Sequence, residues 1–299
     1  MCIFWGTTYL GFKIALDSMG PAAIVSSRNL LAGAILLTWS RARGLTLPRG
    51  RQFWLTAVYG VMVIGVGNAA IALAEQFIPT GLASLFITTA PFWYAGVDAI
   101  LPGGERLHGP TIFGLAVGFT GVAFLVMPSA VSMIQQGSFA AGGNIVIGFL
   151  ILQCSGASWT FGSLLQRNQR LSTNAFAVAG MQQMAAGLFF LPIAMVEPQP
   201  LTLHTSGVLA ILYLGLFGSI VGYGSYMYVL TRLPLAIVSI YTYVNPVVAV
   251  FLGWLVYSET VGPRELSAMA VIFLGIWLVR RASVSVQKLR AEGAAESGQ

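Results

Sequence analysis

Pro79-Thr80-Gly81-Leu82-Ala83-Ser84-Leu85-Phe86-Ile87-Thr88-Thr89-Ala90-Pro91 is an apolar run that carries hydroxyls and closes on a proline. A counterpart stands further along, Pro234-Leu235-Ala236-Ile237-Val238-Ser239-Ile240-Tyr241-Thr242-Tyr243-Val244-Asn245-Pro246. Both prolines and the serine five places after the first (Ser84, Ser239) keep step. A segment this apolar does not survive as a water-exposed element. Its recurrence predicts two related halves that face each other across a bilayer.

Composition carries the same message. The chain has 299 residues, 57% hydrophobic and 8% charged, against about 25% charged in a soluble domain. It lacks the charge to make a soluble surface, so the predicted class is an all-α polytopic membrane protein. The apolar runs are continuous rather than alternating, which excludes a β-barrel. The net charge of +6 comes from scattered or loop-clustered basic residues, a topology signal rather than a nucleic-acid surface. Cys2 and Cys154 both lie in apolar segments and give no disulfide framework. His108 and His204 fall in loops, and no nucleophile–base pair, aspartate pair, metal motif or P-loop is present. The reading is therefore not an enzyme, with no cofactor and no metal.

Ten hydrophobic spans are expected, near 1–16, 22–40, 54–74, 80–101, 109–127, 144–166, 174–196, 206–230, 235–257 and 265–280. Turn residues such as Gly20-Pro21 and Pro102-Gly103-Gly104 separate them. An uncharged polar linker over 128–143 divides the chain into a first repeat, 1–127, and a second, 144–281. The tail, 282–299, is expected as a short turn followed by disorder. Residues 1–16 give only about 24 Å of helix, short of a bilayer core of about 30 Å, so the first helix reads as truncated or its start as misplaced.

Orientation follows from lysine and arginine. Arg41, Arg43, Arg49, Arg51, Arg106, Arg167, Arg170, Arg232, Arg280, Arg281, Lys288 and Arg290 all fall on one side, and Arg264 on the other; Lys13 and Arg28 lie within spans. The rich side is expected to be cytoplasmic, the C-terminus included, with 128–143 outside. Five spans per half then invert the second half relative to the first, a signature of carriers that alternate access around a midplane site. The repeat is legible in residues. Gly60/Gly215, Gly67/Gly222, Pro79/Pro234, Ser84/Ser239 and Pro91/Pro246 coincide in one register; Trp5/Trp159, Lys13/Arg167 and Gly121/Gly275 coincide in a register one residue different.

Several stretches carry a family likeness: Trp5-Gly6-Thr7-Thr8-Tyr9, Ser27-Arg28-Asn29-Leu30, Ala74-Glu75-Gln76, Gly81-Leu82-Ala83-Ser84 running to Pro91, Gly104-Glu105-Arg106-Leu107, and Val238-Ser239 through Asn245-Pro246 to Glu259. In this order the chain resembles the EamA-type members of the drug/metabolite transporter superfamily, in the ten-span branch that contains metabolite and amino-acid exporters. The resemblance implies two inverted five-helix repeats, a central cavity, and a secondary carrier moving small metabolites outward through the inner (plasma) membrane. The alternatives are a facilitative importer of sugars or other solutes, and a non-transporting scaffold or sensor. Expected partners are a small-molecule substrate and the lipid bilayer, with no nucleic acid, the protein being a monomer or weak homodimer. The sequence departs from the family in its short first span and in Ser258-Glu259-Thr260.

Candidate cavity residues follow from chemistry. Pro91 and Pro246 each remove a backbone hydrogen bond in mid-span, either as a hinge beside a cavity or as a packing kink; Thr88 and Asn245 flank them. Trp5, Tyr9, Trp159, Tyr223 and Tyr241 offer apolar faces with a polar handle, set against interfacial or bundle packing. Asn68 is the first-half equivalent of Tyr223. Arg28 is an intramembrane cation, which either holds a substrate carboxylate or pairs with Glu75; Gln182 is its second-half counterpart. Glu105 and Glu259 read as caps of the helices that follow them. Spans three, four and six with eight, nine and one are expected to enclose the cavity.

Overall fold

The computed structural model describes residues 2–100, 108–135, 143–168, 174–199, 201–202, 204–230, 232 and 241–296. Their regular structure is helical throughout: α1 Cys2–Leu16, α2 Pro21–Ala42, α3 Arg51–Ala74, α4 Thr80–Ile87, α5 Ala90–Ile100, α6 Gly109–Gln135, α7 Gly143–Asn168, α8 Ala175–Val196, α9 Thr205–Leu230, α10 Tyr241–Tyr257 and α11 Pro263–Glu296. Among the described residues six helices are long and apolar enough to cross a membrane, and Val244–Tyr257 is a shorter apolar one. Their outward faces carry Trp54, Leu188, Phe189, Val247, Phe251 and Trp254, all exposed. Helices that are apolar on the outside as well as within suit lipid and not water. The chain is an all-α polytopic membrane protein.

Helix ends follow local chemistry. Pro21 opens α2 in its first turn, where a missing N–H is harmless. Gly44, at φ +65°, closes it in the left-handed conformation. Asn174 caps α8 by accepting the Phe176 N–H. Among the described residues two helices contain π-helical turns, Val61–Val66 in α3 and Leu214–Tyr223 in α9.

The structure departs from expectation in three places. At Pro91 the span does not kink but stops: α4 ends at Ile87, Thr88-Thr89 form a turn, and α5 restarts at Ala90 with Pro91 in its first turn. There proline is tolerated because no N–H is needed. The helix before the linker runs on to Gln135, past Pro128. Pro128 cannot donate to the Phe124 carbonyl, and Arg264 does so instead, through Nε (3.2 Å), with Nη2 on the Leu125 carbonyl (2.6 Å). The tail, expected as disordered, continues α11 to Glu296, its Gln287-Lys288-Leu289-Arg290-Ala291-Glu292 being strong helix formers.

The chain divides into two compact units, each built from both halves of the sequence: Met1–Ile87 with Asn144–Thr260, and Thr88–Gly143 with Val261–Gln299. In the first, α2 and α8 run antiparallel, Leu30 meeting Gly187 and Leu36 meeting Gly180, with Ser26 Oγ donating to the Gly187 carbonyl at 3.0 Å. The pair is so close at Gly33 that a Cβ there would lie 2.6 Å from the Met184 backbone nitrogen. Along α3 and α8 the contacts rise together, Gly60 with Gln182 and Gly65 with Phe190. Helix α7 opposes α3, Ser155 Oγ donating to the Gly67 carbonyl and Ser158 Oγ to that of Met62. Helix α1 opposes α9 and runs parallel to α10, where Gly6 packs on Val248. These directions gather Arg41, Arg43, Arg49, Arg51, Arg167 and Arg232 at one end of the unit. Asp17, Glu75, Glu197 and Glu259 gather at the other. In the second unit α6 opposes α11 through Gly114 on Val279, Gly118 on Gly275 and Gly121 on Ile272, so this small-residue stripe is spent within the chain.

Candidate functional site

The site assembles in the first unit from one face of each of several helices. On α7, Trp159, Ser163 and Gln166 share a face at helical spacing. On α9, Ser219, Tyr223, Tyr226 and Met227 do the same, carried on and just past the π-helical turn. Trp5 from α1 and Tyr241 from α10 complete an aromatic cluster. Trp5 meets Trp159 edge-on at 5.4 Å and Tyr241 edge-on at 4.8 Å, and lies 5.3 Å from Tyr226. Trp159 lies 5.4 Å from Tyr226 and 6.2 Å from Tyr223. Edge-on approach sets the positive rim of one ring on the negative face of another, which fixes ring orientation as well as contact. The Trp5 indole donates to the Gly218 carbonyl at 3.1 Å, while the Trp159 indole N–H is buried without a partner.

Beside the rings runs a buried chain of polar groups. Tyr223 donates to Gln182 Oε1 at 2.8 Å, Gln182 Nε2 to Gln166 Oε1 at 2.6 Å, and Gln166 Nε2 to the Met227 sulfur at 2.9 Å. Tyr226 and Ser163 bond through their hydroxyls at 2.9 Å. Buried amides that bond one another in series hold a single arrangement, since turning any one of them would unpair its neighbours.

Ser219 anchors two further groups. Arg28, 3% exposed, donates to Ser219 Oγ through Nε (3.1 Å) and Nη2 (2.9 Å) and lies 5.0 Å from the centre of the Phe12 ring. Gln183 Nε2 donates to the Ser219 carbonyl at 3.1 Å. Arg28 Nη1 and Gln183 Oε1 are buried without hydrogen-bond partners, as is the Asn29 amide. The arrangement offers large apolar faces next to one cationic donor and one amide acceptor.

The sequence candidates divide. Trp5, Trp159, Tyr223 and Tyr241 come together, and Arg28 joins them through the α9 turn that also receives Trp5. Asn68 is half-buried beside Gly67, on which Trp159 packs. Tyr9 is buried. Asn245 and Pro246 are buried in α10, where the Asn245 carbonyl approaches Gly6. Thr88 and Pro91 are buried at the helix break in the second unit. The expected Arg28–Glu75 pair does not form. Arg28 is held by Ser219, both Glu75 carboxylate oxygens are buried without hydrogen-bond partners, and Lys13 Nζ donates to the Glu75 backbone carbonyl at 3.0 Å. Glu259 is a cap, but of α4 rather than the helix after it: its two oxygens accept from the Thr80 (2.8 Å) and Gly81 (3.0 Å) N–H groups. Glu197 caps α2 in the same way at Ala22 and Ala23. Pro234, Ser239 and Glu105, and the Tyr243 side chain, lie outside the described residues. Sequence reading missed Tyr226, Gln166, Gln183 and Ser219. The one signal was the adjacent pair Gln182-Gln183, the amides within the helix Ala175–Val196.

Residues 1–127 and 146–281 match the EamA-like transporter family. Over 283 residues the chain is 32% identical to the protein described as "Uncharacterized inner membrane transporter YedA" of Escherichia coli K12, across 93% of this chain and 87% of that one. It is 25% identical to a "Probable terminal-alkyne amino-acid exporter" of Streptantibioticus cattleyicolor, across 93% and 90%. A solved crystal structure of a protein 20% identical superposes with a TM-score of 0.69, covering 96% of this chain and 95% of that one, and so shares the fold. With the family match covering both halves of a polytopic helical chain, the protein belongs to the EamA-like transporter family and is a membrane transporter of small compounds.

Proposed function

We propose that the chain is a secondary transporter of small metabolites, amino acids or compounds derived from them, which it moves outward across the inner membrane by alternating access. The observation that carries this reading is the cluster of buried Tyr223, Tyr226 and Tyr241 with half-buried Trp5 and Trp159 beside the amide chain Gln166–Gln182. Rings that grip apolar groups weakly, next to oriented polar atoms, suit a solute that must bind and then leave. Inversion of two five-helix repeats, 1–127 and 144–281, is supported by the opposed directions of α2 and α8 and of α6 and α11, which are equivalent helices in the two halves. The basic end of the first unit is the cytoplasmic one in this reading, as is the C-terminus. The break at Thr88–Pro91 and the proline within α10 supply places for a gate to bend. The relative described as an amino-acid exporter supports both the substrate class and the direction, and the one described as an inner membrane transporter supports the location.

The test is counterflow in proteoliposomes with a panel of amino acids, sugars and amines. Saturable exchange of one class, weakened at least severalfold by Asn68→Trp or Tyr223→Trp, is expected. Saturable uptake of sugars alone would favour a facilitative importer. Flux that is absent for the whole panel, or that does not saturate, overturns the proposal.

A further inference from the structure

Arg28 poses a problem of charge. Guanidinium does not lose its proton in proteins, and a buried charge needs a partner. Arg28 has one neutral hydroxyl, on Ser219, and one ring, Phe12. Among the described residues no carboxylate bonds it, and the nearest sequence candidate, Glu75, is engaged elsewhere along its backbone and bonds nothing through its oxygens. The second-half equivalent is the neutral Gln182, so no matching charge comes from the repeat.

The groups around Arg28 say what the missing partner looks like. Ser219 holds Arg28 by its hydroxyl and Gln183 by its carbonyl. Arg28 spends Nε and Nη2 on Ser219 and Gln183 spends Nε2, which leaves one bare group on each: Nη1, a cationic donor, and Oε1, an acceptor. A donor and an acceptor whose side chains are held by one residue complement a ligand that carries both an anion and an N–H donor. The turn that carries Ser219 also carries Gly218, whose carbonyl takes the Trp5 indole and against which the guanidinium packs. The aromatic cluster therefore begins one residue from Ser219, which holds both groups.

We infer that Arg28, Ser219 and Gln183 form the head-group site for a zwitterionic α-amino acid, the carboxylate taken by Arg28 and the ammonium by Gln183 Oε1, with an apolar side chain directed to Trp5 and Tyr226. This rests on the transport reading above and names the substrate of its site. The ligand supplies the counter-charge that no described residue provides. A carboxylate in the Gln183 position would supply it instead, so Gln183→Glu fills the site from within.

The experiment uses the full chain, purified and reconstituted, with leucine and phenylalanine, their methyl esters, and the corresponding amines as probes. Two readouts are taken: counterflow, and ligand-induced shift of the thermal midpoint in detergent. The wild type is expected to bind and exchange the amino acids, with esters and amines weaker by roughly ten- to a hundredfold, the span set by one charge-assisted hydrogen bond. Arg28→Gln should abolish that preference. Gln183→Glu should lose the amino acids while raising the midpoint of the free protein, because it pairs the buried cation; this readout stands even where Arg28→Gln folds poorly. Esters exchanged as well as amino acids, or an unchanged preference in both variants, overturn the inference and leave transport intact. Midpoint shifts by amino acids without any flux would keep the site and overturn transport. Neither shift nor flux with these probes overturns the inference, and the wider panel above then decides transport.

Discussion

Ser219 is small, yet three hydrogen bonds converge on it, two from Arg28 and one from Gln183. Those to its hydroxyl come from a buried cation, and such bonds weigh about 1.5–3 kcal/mol each where neutral ones weigh about 1. Ser219→Ala is expected to lower stability by about 2–3 kcal/mol, read from the unfolding midpoint in detergent. On an Arg28→Gln background the same change should cost about 1 kcal/mol or less, because the charge that made the hydroxyl valuable is gone. Equal costs in the two backgrounds would mean that Ser219 acts by packing. At this scale the sequence revealed residues that stand out chemically from an apolar surrounding, such as Trp5, Arg28 and Trp159. It did not reveal Ser219 or Tyr226. A serine or tyrosine in a membrane helix is unremarkable until the face it occupies is known, and a helix apolar on both faces carries no periodic signal to say which face turns inward.

Among elements, the six long apolar helices were legible because a bilayer leaves a chain few options: backbone groups must be satisfied internally, so an apolar run of the right length is a helix. What the runs could not convey is how ends and breaks are repaired. Pro91 marked an anomaly, but whether it kinks or interrupts a helix depends on the turn at Thr88-Thr89. The span before the linker was expected to end at residue 127, and Arg264 from another helix lets α6 pass Pro128. Helix α4 begins on the carboxylate of Glu259, and α2 on that of Glu197; neither spacing along the chain hints at the contact. Glu259→Ala and Glu197→Ala are each expected to cost about 1–2 kcal/mol, the worth of a helix N-terminal cap, with Gln at either position recovering part of it. A loss seen for neither variant in a detergent unfolding series would mean that water satisfies these N–H groups as well as the carboxylates do.

For the molecule as a whole, the distribution of charge makes a prediction that no single contact does. With the basic end of the first unit on the cytoplasmic side, cysteines introduced at Gly50 and Arg232 in a background lacking Cys2 and Cys154 should react with an impermeant reagent only from the cytoplasm. Cysteines at Gln135 and Thr202 should react only from outside. Labelling of Gly50→Cys and Gln135→Cys from the same side would break the five-plus-five inversion. The compact units bear on the same question, since each mixes residues from both sequence halves, and a half-chain would leave helix faces without their partners.

The carboxylate caps also set a clock. Glu259 follows the helix start it serves by 179 residues, and Glu197 follows its own by 175. At about 5–20 residues per second, the start of α4 waits about 10–35 s after leaving the ribosome before its cap exists. During that interval the nascent protein holds open N–H groups at the membrane surface, where a protease or chaperone can find them. Nascent chains arrested after residue 250 should be cut readily between Phe77 and Thr80, and chains released at full length should resist. Assembly of this protein is then closed from its C-terminal half backward, long after its first helices have entered the bilayer.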